Sequence, residues 1–521
     1  MRAVNFSEVI ERAADISHTV ASVIGLLQLQ SWFAPILTHQ MANFCLDSRK
    51  ISEQDGFVLL KSTSQDAQAT IDSANRYIQA VKDTASFIIT EFDADVLVLD
   101  GVSIPVVSLP TIRTILGDLI AARFQLDESV PLPTVIAVTG TNGKTTVSQL
   151  IAQLCQLSGI DAAVMGTAGN GRLDQLVQAA NTTGDVLLVQ EFIYQMALDG
   201  VKVIALEASS HGLDQYRLQG VPVAAAIYTN LSHDHLDYHK DMDDYRDAKA
   251  KLFDKTIFPT LQVGVVNGDA ECALFDYQSD RGYPVYRYSQ KDSTADFFAQ
   301  DVRPSLDGVV IDVQTSQGLM TVHSPLLGLF NVDNLMASMA AFAALFPKQA
   351  VNLPNLITRL IGARGRMQRA ESQTGSFIVD YAHTPDALVQ VLSSLRKHCE
   401  GKLVAVFGCG GDRDRTKRPL MTRAGLDYAD QVILTADNPR SEEPAAILND
   451  MQQGLSCEDH YKILIEADRK KAIELAVKSA GDQDIIVIAG KGHETYQEIK
   501  GVRYDFDDLA ILTELLQRYH K

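Results

Sequence analysis

Residues 135–146 read Val135-Ile-Ala-Val-Thr-Gly140-Thr-Asn-Gly-Lys144-Thr-Thr146. Four apolar, β-prone residues end in a glycine-rich turn. The turn opens a segment in which Val147, Leu150, Ile151, Leu154 and Leu157 recur at three- and four-residue spacing. That order is strand, loop, helix, with Gly159 where a helix C-cap belongs. Glycines let backbone N–H groups close on phosphate, and a helix N-terminus favours negative charge. Lys144 is expected to reach the β- and γ-phosphates, and a hydroxyl to bind Mg²⁺. Only Thr141 and Asn142 separate Gly140 from Gly143, which is shorter than the usual phosphate loop. The bland alternative, a glycine turn with a surface lysine, is disfavoured by the strand before and the helix after.

Further apolar strands at 201–206 and Val223–Tyr228 end in polar clusters. A second alternating series begins near 353, with strands at 377–379, Leu403–Phe407, Gln431–Leu434 and Ile485–Ala489. Each is followed by a polar, glycine- or proline-containing loop. Alternating strands and helices imply mainly parallel sheets, whose ligands bind at the C-terminal strand ends. Two such rims are expected, facing each other across a cleft. Before residue 112 the pattern predicts strands at Phe87–Thr90 and 96–99 and a helix at 71–81. A helix at 111–124 follows, and Pro131-Leu-Pro133 ends that connection.

A chain of 521 residues exceeds one core, so two or three domains are expected. A formal charge of -19 disfavours nucleic-acid and membrane phosphates as partners. Cys45, Cys155, Cys272, Cys399, Cys409 and Cys457 are scattered and form no CxxC pair, which suggests reduced thiols. The first residues contain acidic side chains and no continuous apolar core, unlike a signal peptide. No stretch reaches the roughly 18 apolar residues of a membrane span. A cytoplasmic protein is expected.

The loop 140–146 resembles that of the Mur ligase and folylpolyglutamate synthase superfamily, and the resemblance extends over residues 130–500. It implies an α/β chain of three domains. These are a UDP-sugar-binding domain at 1–112, a central ATP-binding domain at 113–352, and a Rossmann-like domain for the incoming amino acid at 353–521. ATP would be held by Gly140, Thr141, Asn142, Gly143, Lys144, Thr145 and Thr146. Asn331 and Asn334 of Gly328-Leu-Phe-Asn-Val-Asp-Asn334 join them in the family, although helix capping is their bland reading.

Glu207 ends an apolar strand beside the phosphate loop, where a hard cation is held by oxygen. The segment Thr229-Asn-Leu-Ser-His-Asp-His-Leu-Asp-Tyr-His239 resembles the family's TN…DHLDYH, which implies His235 as a metal ligand. Ligand chemistry alone would favour Zn²⁺ at a histidine; the resemblance implies Mg²⁺. Tyr245-Arg-Asp-Ala-Lys249 resembles Y-x-x-A-K, whose lysine is carbamylated by CO₂. The residues alone read Lys249 as an ordinary helix lysine. By resemblance the catalytic set is Lys144, Glu207, His235 and Lys249, and the metal ligands are Thr145, Glu207, His235 and carbamylated Lys249.

Asn181-Thr-Thr183 and Ser209-Ser-His-Gly-Leu-Asp-Gln-Tyr-Arg217 resemble segments of the MurE type of the family. They imply contacts to a UDP-MurNAc-dipeptide by Asn181, Thr182, Thr183, Ser210, Gln215 and Arg217. Leu46-Asp-Ser-Arg49 resembles the uridine-binding LDSR segment, implying Ser48 and Arg49. The chain departs from the family just afterwards: one glycine is missing, and Ala67 stands where a second would fall.

Gly365-Arg-Met-Gln368, Asp380-Tyr-Ala-His-Thr-Pro385 and the basic loop 408–419 match further family segments. The most informative is Asp437-Asn-Pro-Arg440. In MurE-type ligases this motif accompanies meso-diaminopimelate, while lysine-adding relatives usually lack the arginine. An arginine can bind the distal carboxylate of diaminopimelate bidentately but would repel the ammonium end of lysine. Arg413, Asp437, Asn438, Pro439, Arg440, Gly490 and Glu494 are the implied pocket, with Glu494 pairing the distal ammonium.

The implied activity is ATP-dependent addition of meso-2,6-diaminopimelate to UDP-MurNAc-L-Ala-D-Glu through an acyl phosphate, by a monomer that closes its last domain over the centre. Alternatives are a lysine-adding ligase, a folylpolyglutamate-synthase-like ligase, a phosphate-loop ATPase acting on a protein partner, and a catalytically dead binding protein.

Overall fold

The computed structural model describes residues 2–17, 20–62, 66–179, 181–236, 238–270, 273–275 and 280–521. Cys272 lies outside them, as do Asp237 of the histidine-rich segment and residues 63–65, part of the stretch 54–67 that departs from the family after LDSR. The chain divides into two compact units: Met1–Tyr288 with Ala337–Ala350, and Ser289–Met336 with Val351–Lys521. Among the described residues no helix is long and apolar enough to cross a membrane.

The first unit is built on a largely parallel sheet. Its order is Val285–Ser289, Val263–Asn267, Val223–Tyr228, Thr134–Thr139, Val203–Glu207, Ala162–Gly166, Gly169–Gly171. Only the last pair is antiparallel. Val135, Ile136, Ala137 and Val138 are all 0% exposed, so the strand is covered on both faces and reads as an unbroken apolar run. The helix Lys144–Leu157 follows the glycine turn, and Gly159 closes it with φ +79.

A second, four-stranded parallel sheet of this unit runs Phe44–Cys45, Gly56–Leu59, Phe87–Thr90, Val106–Ser108. Phe6 packs edge-to-face on Phe33 and Phe87, at 5.1 and 5.2 Å between centroids. The helix expected at 71–81 starts earlier, at Ala67, because the Asp66 side chain accepts from Ala69 N.

Two expectations fail here. Residues 96–99 form no strand: Ala94–Val96 is a 3-10 turn, and the Val98 N–H goes to the Asn75 side chain instead of a ladder. The fourth strand is Val106–Ser108. The helix expected at 111–124 is broken at Ile115 (φ -134, ψ -7) into a 3-10 turn, Ile112–Thr114, and a helix, Leu116–Asp127.

The second unit contains an antiparallel meander, Phe297–Ser305, Gly308–Thr315 and Gly318–Ser324, which the alternating pattern did not anticipate. Its main sheet runs Gln368–Ala370, Ser376–Asp380, Ile485–Ala489, Leu403–Phe407, Gln431–Leu434, Ile463–Ile465. All pairs are parallel except the first. The strand Ile485–Ala489 returns between Ser376–Asp380 and Leu403–Phe407. The loops after four adjacent strands therefore gather on one rim, as the sheet type requires of a ligand site.

Candidate active site

In the first unit, the strand Thr134–Thr139 delivers the phosphate loop. Gly140 has φ +147, and a Cβ there would stand 1.9 Å from Thr229 Oγ1, so only glycine fits. The next strand braces the loop from one side: Asn142 N donates to Asn230 Oδ1 (2.9 Å), and Thr229 Oγ1 donates to Asn142 O (2.6 Å). Lys144 folds back, its Nζ 2.9 Å from both Gly140 O and Thr141 O. Lys249 comes from the helix Met242–Ala250 and places its Nζ 3.0 Å from the same Gly140 O.

Lys249 is 1% exposed, with its Nζ 4.3 Å from the centre of the Tyr245 ring. Burial, and then the nearby charge of Lys144, push its amine well below the ordinary lysine range. A neutral amine has a free lone pair, which is what reaction with CO₂ requires. Glu207, 1% exposed, ends the neighbouring strand and accepts from Thr167 N (2.9 Å) and Thr167 Oγ1 (3.1 Å). His235 is half-buried at φ +54, and burial lowers its imidazole to about 4, leaving the ring neutral.

Glu207 and the Thr145 hydroxyl are oxygen donors at the strand end and helix start beside the phosphate loop, the donor type a hard cation such as Mg²⁺ takes together with waters and phosphate oxygens.

A cavity of about 250 Å³ lies in the same unit, lined among others by Leu46, Lys61, Arg113, Asn181, Gln215 and Arg217. Arg217 donates through Nη1 to Thr183 O (2.9 Å) and through Nε and Nη2 to Gln215 Oε1 (3.0 and 2.7 Å). Thr183 Oγ1 ties this wall to the Glu207 carbonyl at 2.8 Å, and the Thr182 and Thr167 hydroxyls are hydrogen-bonded at 3.0 Å. Ser210 Oγ is buried and finds no partner among the described residues, an orphan polar group beside the wall.

In the second unit, the loop 437–440 follows Gln431–Leu434 and meets the turn 490–494, which follows Ile485–Ala489. Asn438 Nδ2 donates to Glu494 Oε2 at 2.8 Å. Arg440, at φ +50, donates through Nη1 to Gly411 O at 2.7 Å, so its guanidinium lies against the 408–419 loop. The turn 490–494 also meets Gly365, where a Cβ would stand 2.1 Å from Gly492 C. That explains the glycine of the Gly365-Arg-Met-Gln368 segment.

Comparison with known proteins gives two family matches: the Mur ligase middle domain over residues 138–342, and the Mur ligase, glutamate ligase domain over residues 365–492. A UDP-N-acetylmuramoyl-L-alanyl-D-glutamate--2,6-diaminopimelate ligase of Coxiella burnetii (strain RSA 493 / Nine Mile phase I) is 39% identical over 473 residues, 89% of this chain and 93% of that protein. The ligase of the same name from Vibrio cholerae serotype O1 (strain ATCC 39315 / El Tor Inaba N16961) is 40% identical over 478 residues, covering 91% and 93%. A solved structure of a ligase so named is 40% identical, covers 100% of both chains and superposes with a TM-score of 0.69.

The chain belongs to the Mur ligase family.

In this Mur ligase the first unit brings together Gly140, Thr141, Asn142, Gly143, Lys144 and Lys249. Thr182, Thr183, Gln215 and Arg217 are tied into one wall by the bonds given above. Asn331 and Asn334 lie in the second unit. Asn331 Nδ2 donates to Leu327 O (2.6 Å) and Asn334 Nδ2 to Asn331 Oδ1 (2.8 Å); in both bonds the side chain donates, whereas the helix capping of their bland reading needs a side chain that accepts from a backbone N–H. Arg49 is exposed, held by Asp47 at 2.9 and 2.8 Å, and Ser48 and Arg49 do not line the cavity. Arg413 is exposed and, among the described residues, makes no ion pair. Its neighbours Arg415 and Arg418 are paired with Glu442 at 3.0 and 2.7 Å.

Three residues of these sites escaped the sequence reading. Lys61 and Arg113 line the cavity, and Arg113 is fixed by a two-pronged bond to Glu91, at 2.7 and 3.0 Å. Lys491 is 0% exposed and lies among Asp437, Asn438 and Glu494. No family segment flagged Lys61 or Arg113. Lys491 was visible inside Gly490-Lys-Gly-His-Glu494, as the cation next to two carboxylates in one loop pair.

Proposed function

We propose that this Mur ligase is an ATP-dependent carbon–nitrogen ligase that adds meso-2,6-diaminopimelate to UDP-MurNAc-L-Ala-D-Glu, making the UDP-MurNAc-tripeptide of peptidoglycan synthesis. The observation that carries the reading is the junction of the 437–440 loop with the 490–494 turn. There Asn438 holds Glu494, while Arg440 is anchored beside them on Gly411. One carboxylate and one guanidinium within one rim match the ammonium and carboxylate of a second amino-acid head. The identity of about 40% to ligases of that name supports it.

The loop amides of 140–146 and Lys144 bind the phosphates of ATP. Glu207, Thr145, His235 and carbamylated Lys249 would hold Mg²⁺, which when bound neutralises phosphate charge. Asn181, Thr182, Thr183, Ser210, Gln215 and Arg217, with Ser48 and Arg49, bind the nucleotide-linked dipeptide. Its γ-carboxylate takes the γ-phosphoryl group, giving an acyl phosphate and ADP. Arg413, Asp437, Asn438, Pro439, Arg440, Gly490 and Glu494 hold diaminopimelate, whose amine attacks the acyl carbon and expels phosphate. Positioning and charge neutralisation carry such a transfer. The domains are 1–112 for the UDP-sugar, 113–352 for ATP and 353–521 for the amino acid. The enzyme works as a cytoplasmic monomer, where ATP and its nucleotide substrate are available.

The test is a balance of products from ATP, UDP-MurNAc-L-Ala-D-Glu and meso-diaminopimelate. ADP, phosphate and the tripeptide nucleotide are expected in equal amounts. ADP formation without a ligated product would overturn the proposal.

A further inference from the structure

The ammonium of Lys491 is fully buried in the second unit. Its side chain is 0% exposed, and three acceptors converge on it: Asn438 Oδ1 and Glu494 Oε2 at 3.1 Å each, and Asp437 Oδ1 at 3.5 Å. A lysine ammonium has three donors and no acceptor, so this set satisfies it completely. The Tyr496 ring covers it, 5.6 Å from Nζ to the centroid.

The surrounding bonds fix directions as well as charge. Asn438 Oδ1 also accepts from Glu498 N at 2.9 Å, so its Nδ2 is the end that faces Glu494, donating to Oε2 at 2.8 Å. Both bonds to the Glu494 carboxylate thus fall on one oxygen, Oε2, and Oε1 receives neither. A carboxylate pinned by one oxygen has one left to offer a ligand. The cluster holds two carboxylates and one ammonium, with the buried Arg469–Asp508 pair beside it. A compact point charge suits three converging acceptors better than a planar guanidinium would.

We propose that Lys491 is the positioning residue of the amino-acid site: by holding Asn438 and Glu494 Oε2 it turns Glu494 Oε1 toward the distal ammonium of the incoming amino acid. Lys491 touches no reacting atom. It sets which amine is accepted by fixing the carboxylate that reads it. This rests on the diaminopimelate reading above.

The test compares wild type with Lys491→Met for two acceptors, meso-diaminopimelate and L-2-aminopimelate, which lacks the distal amine. Wild type is expected to prefer diaminopimelate. In the variant KM for diaminopimelate rises about tenfold or more, the loss of one charge-assisted contact, and the preference between acceptors collapses. KM for ATP and for the nucleotide-linked dipeptide stays put. An unchanged preference ratio, or equal losses for all three substrates, would overturn the inference, since a purely structural lysine predicts that pattern. If Lys491→Met does not fold, Lys491→Arg is read by the same ratio: a reduced preference supports the proposal, and an intact one overturns it. A wild type that ignores diaminopimelate refutes the functional reading itself; a wild type that uses it, with a variant ratio that does not move, refutes only this inference.

Discussion

Lys144 and Lys249 donate to one and the same oxygen, Gly140 O, at 2.9 and 3.0 Å. Two ammonium groups this close would repel each other, and burial adds to the penalty on Lys249, 1% exposed, so its amine is driven toward the neutral form. The proposed carbamylation would resolve the conflict by turning Lys249 into an anion beside a cation. Isotopically labelled bicarbonate is therefore expected to give a carbamate carbon signal in wild type and none in Lys249→Ala. That variant is expected to lose activity by about a hundredfold or more, the scale of one transition-state charge contact, and to recover part of it with added formate or acetate. Full activity in Lys249→Ala would rule out the assignment.

Arg113 offers a test of the cavity. Its guanidinium is held by Glu91 and also reaches Lys61 O at 2.7 Å, which fixes it in the wall shared with Arg217. Arg113→Ala is expected to raise KM for the nucleotide-linked dipeptide about tenfold while leaving KM for ATP unchanged. Arg113→Lys should not restore it, because an ammonium cannot replace the two-pronged bond to Glu91. Unchanged KM in both variants would remove Arg113 from the binding site.

Acid stability of the second unit has a defined sign at Glu442. This carboxylate accepts from Arg418 at 3.0 and 2.7 Å, from Arg415 at 3.0 Å and from Asp412 N at 2.7 Å. The Arg418 bonds foremost hold it down at about 2. Its folded value lies below the unfolded one, so its contribution is present above the ordinary carboxylate range and fades as pH falls toward about 2. Glu442→Gln is expected to cost about 2 kcal/mol at neutral pH, because Arg418 is buried. Chemical denaturation at neutral and acid pH checks this: the gap between wild type and variant should shrink on acidification. A gap that widens would contradict the assignment.

Much of this arrangement is legible in the residues. The strand before Gly140 is buried on both faces, and such strands read as unbroken apolar runs. The same holds for Leu403–Phe407 and Ile485–Ala489, and all three expectations match their strands. Residues 96–99 misled because a short unbroken apolar run also suits a segment that buries Leu97 while its backbone bonds to Asn75. The break at Ile115 has no turn residue to announce it. Lys61 and Arg113 were illegible because they belong to the site only through long-range folding: Glu91, 22 residues from Arg113 in sequence, decides where that guanidinium stands. Asp437, Asn438 and Arg440 were legible because one short loop carries them all.

The central claim is most directly tested by phosphate release from ATP with UDP-MurNAc-L-Ala-D-Glu and either meso-diaminopimelate or L-lysine as acceptor. The account predicts release with diaminopimelate and little with lysine, and loss of that preference in Arg440→Ala. Release with lysine alone would contradict the role given to Arg440, and release with neither would contradict the ligase reading itself.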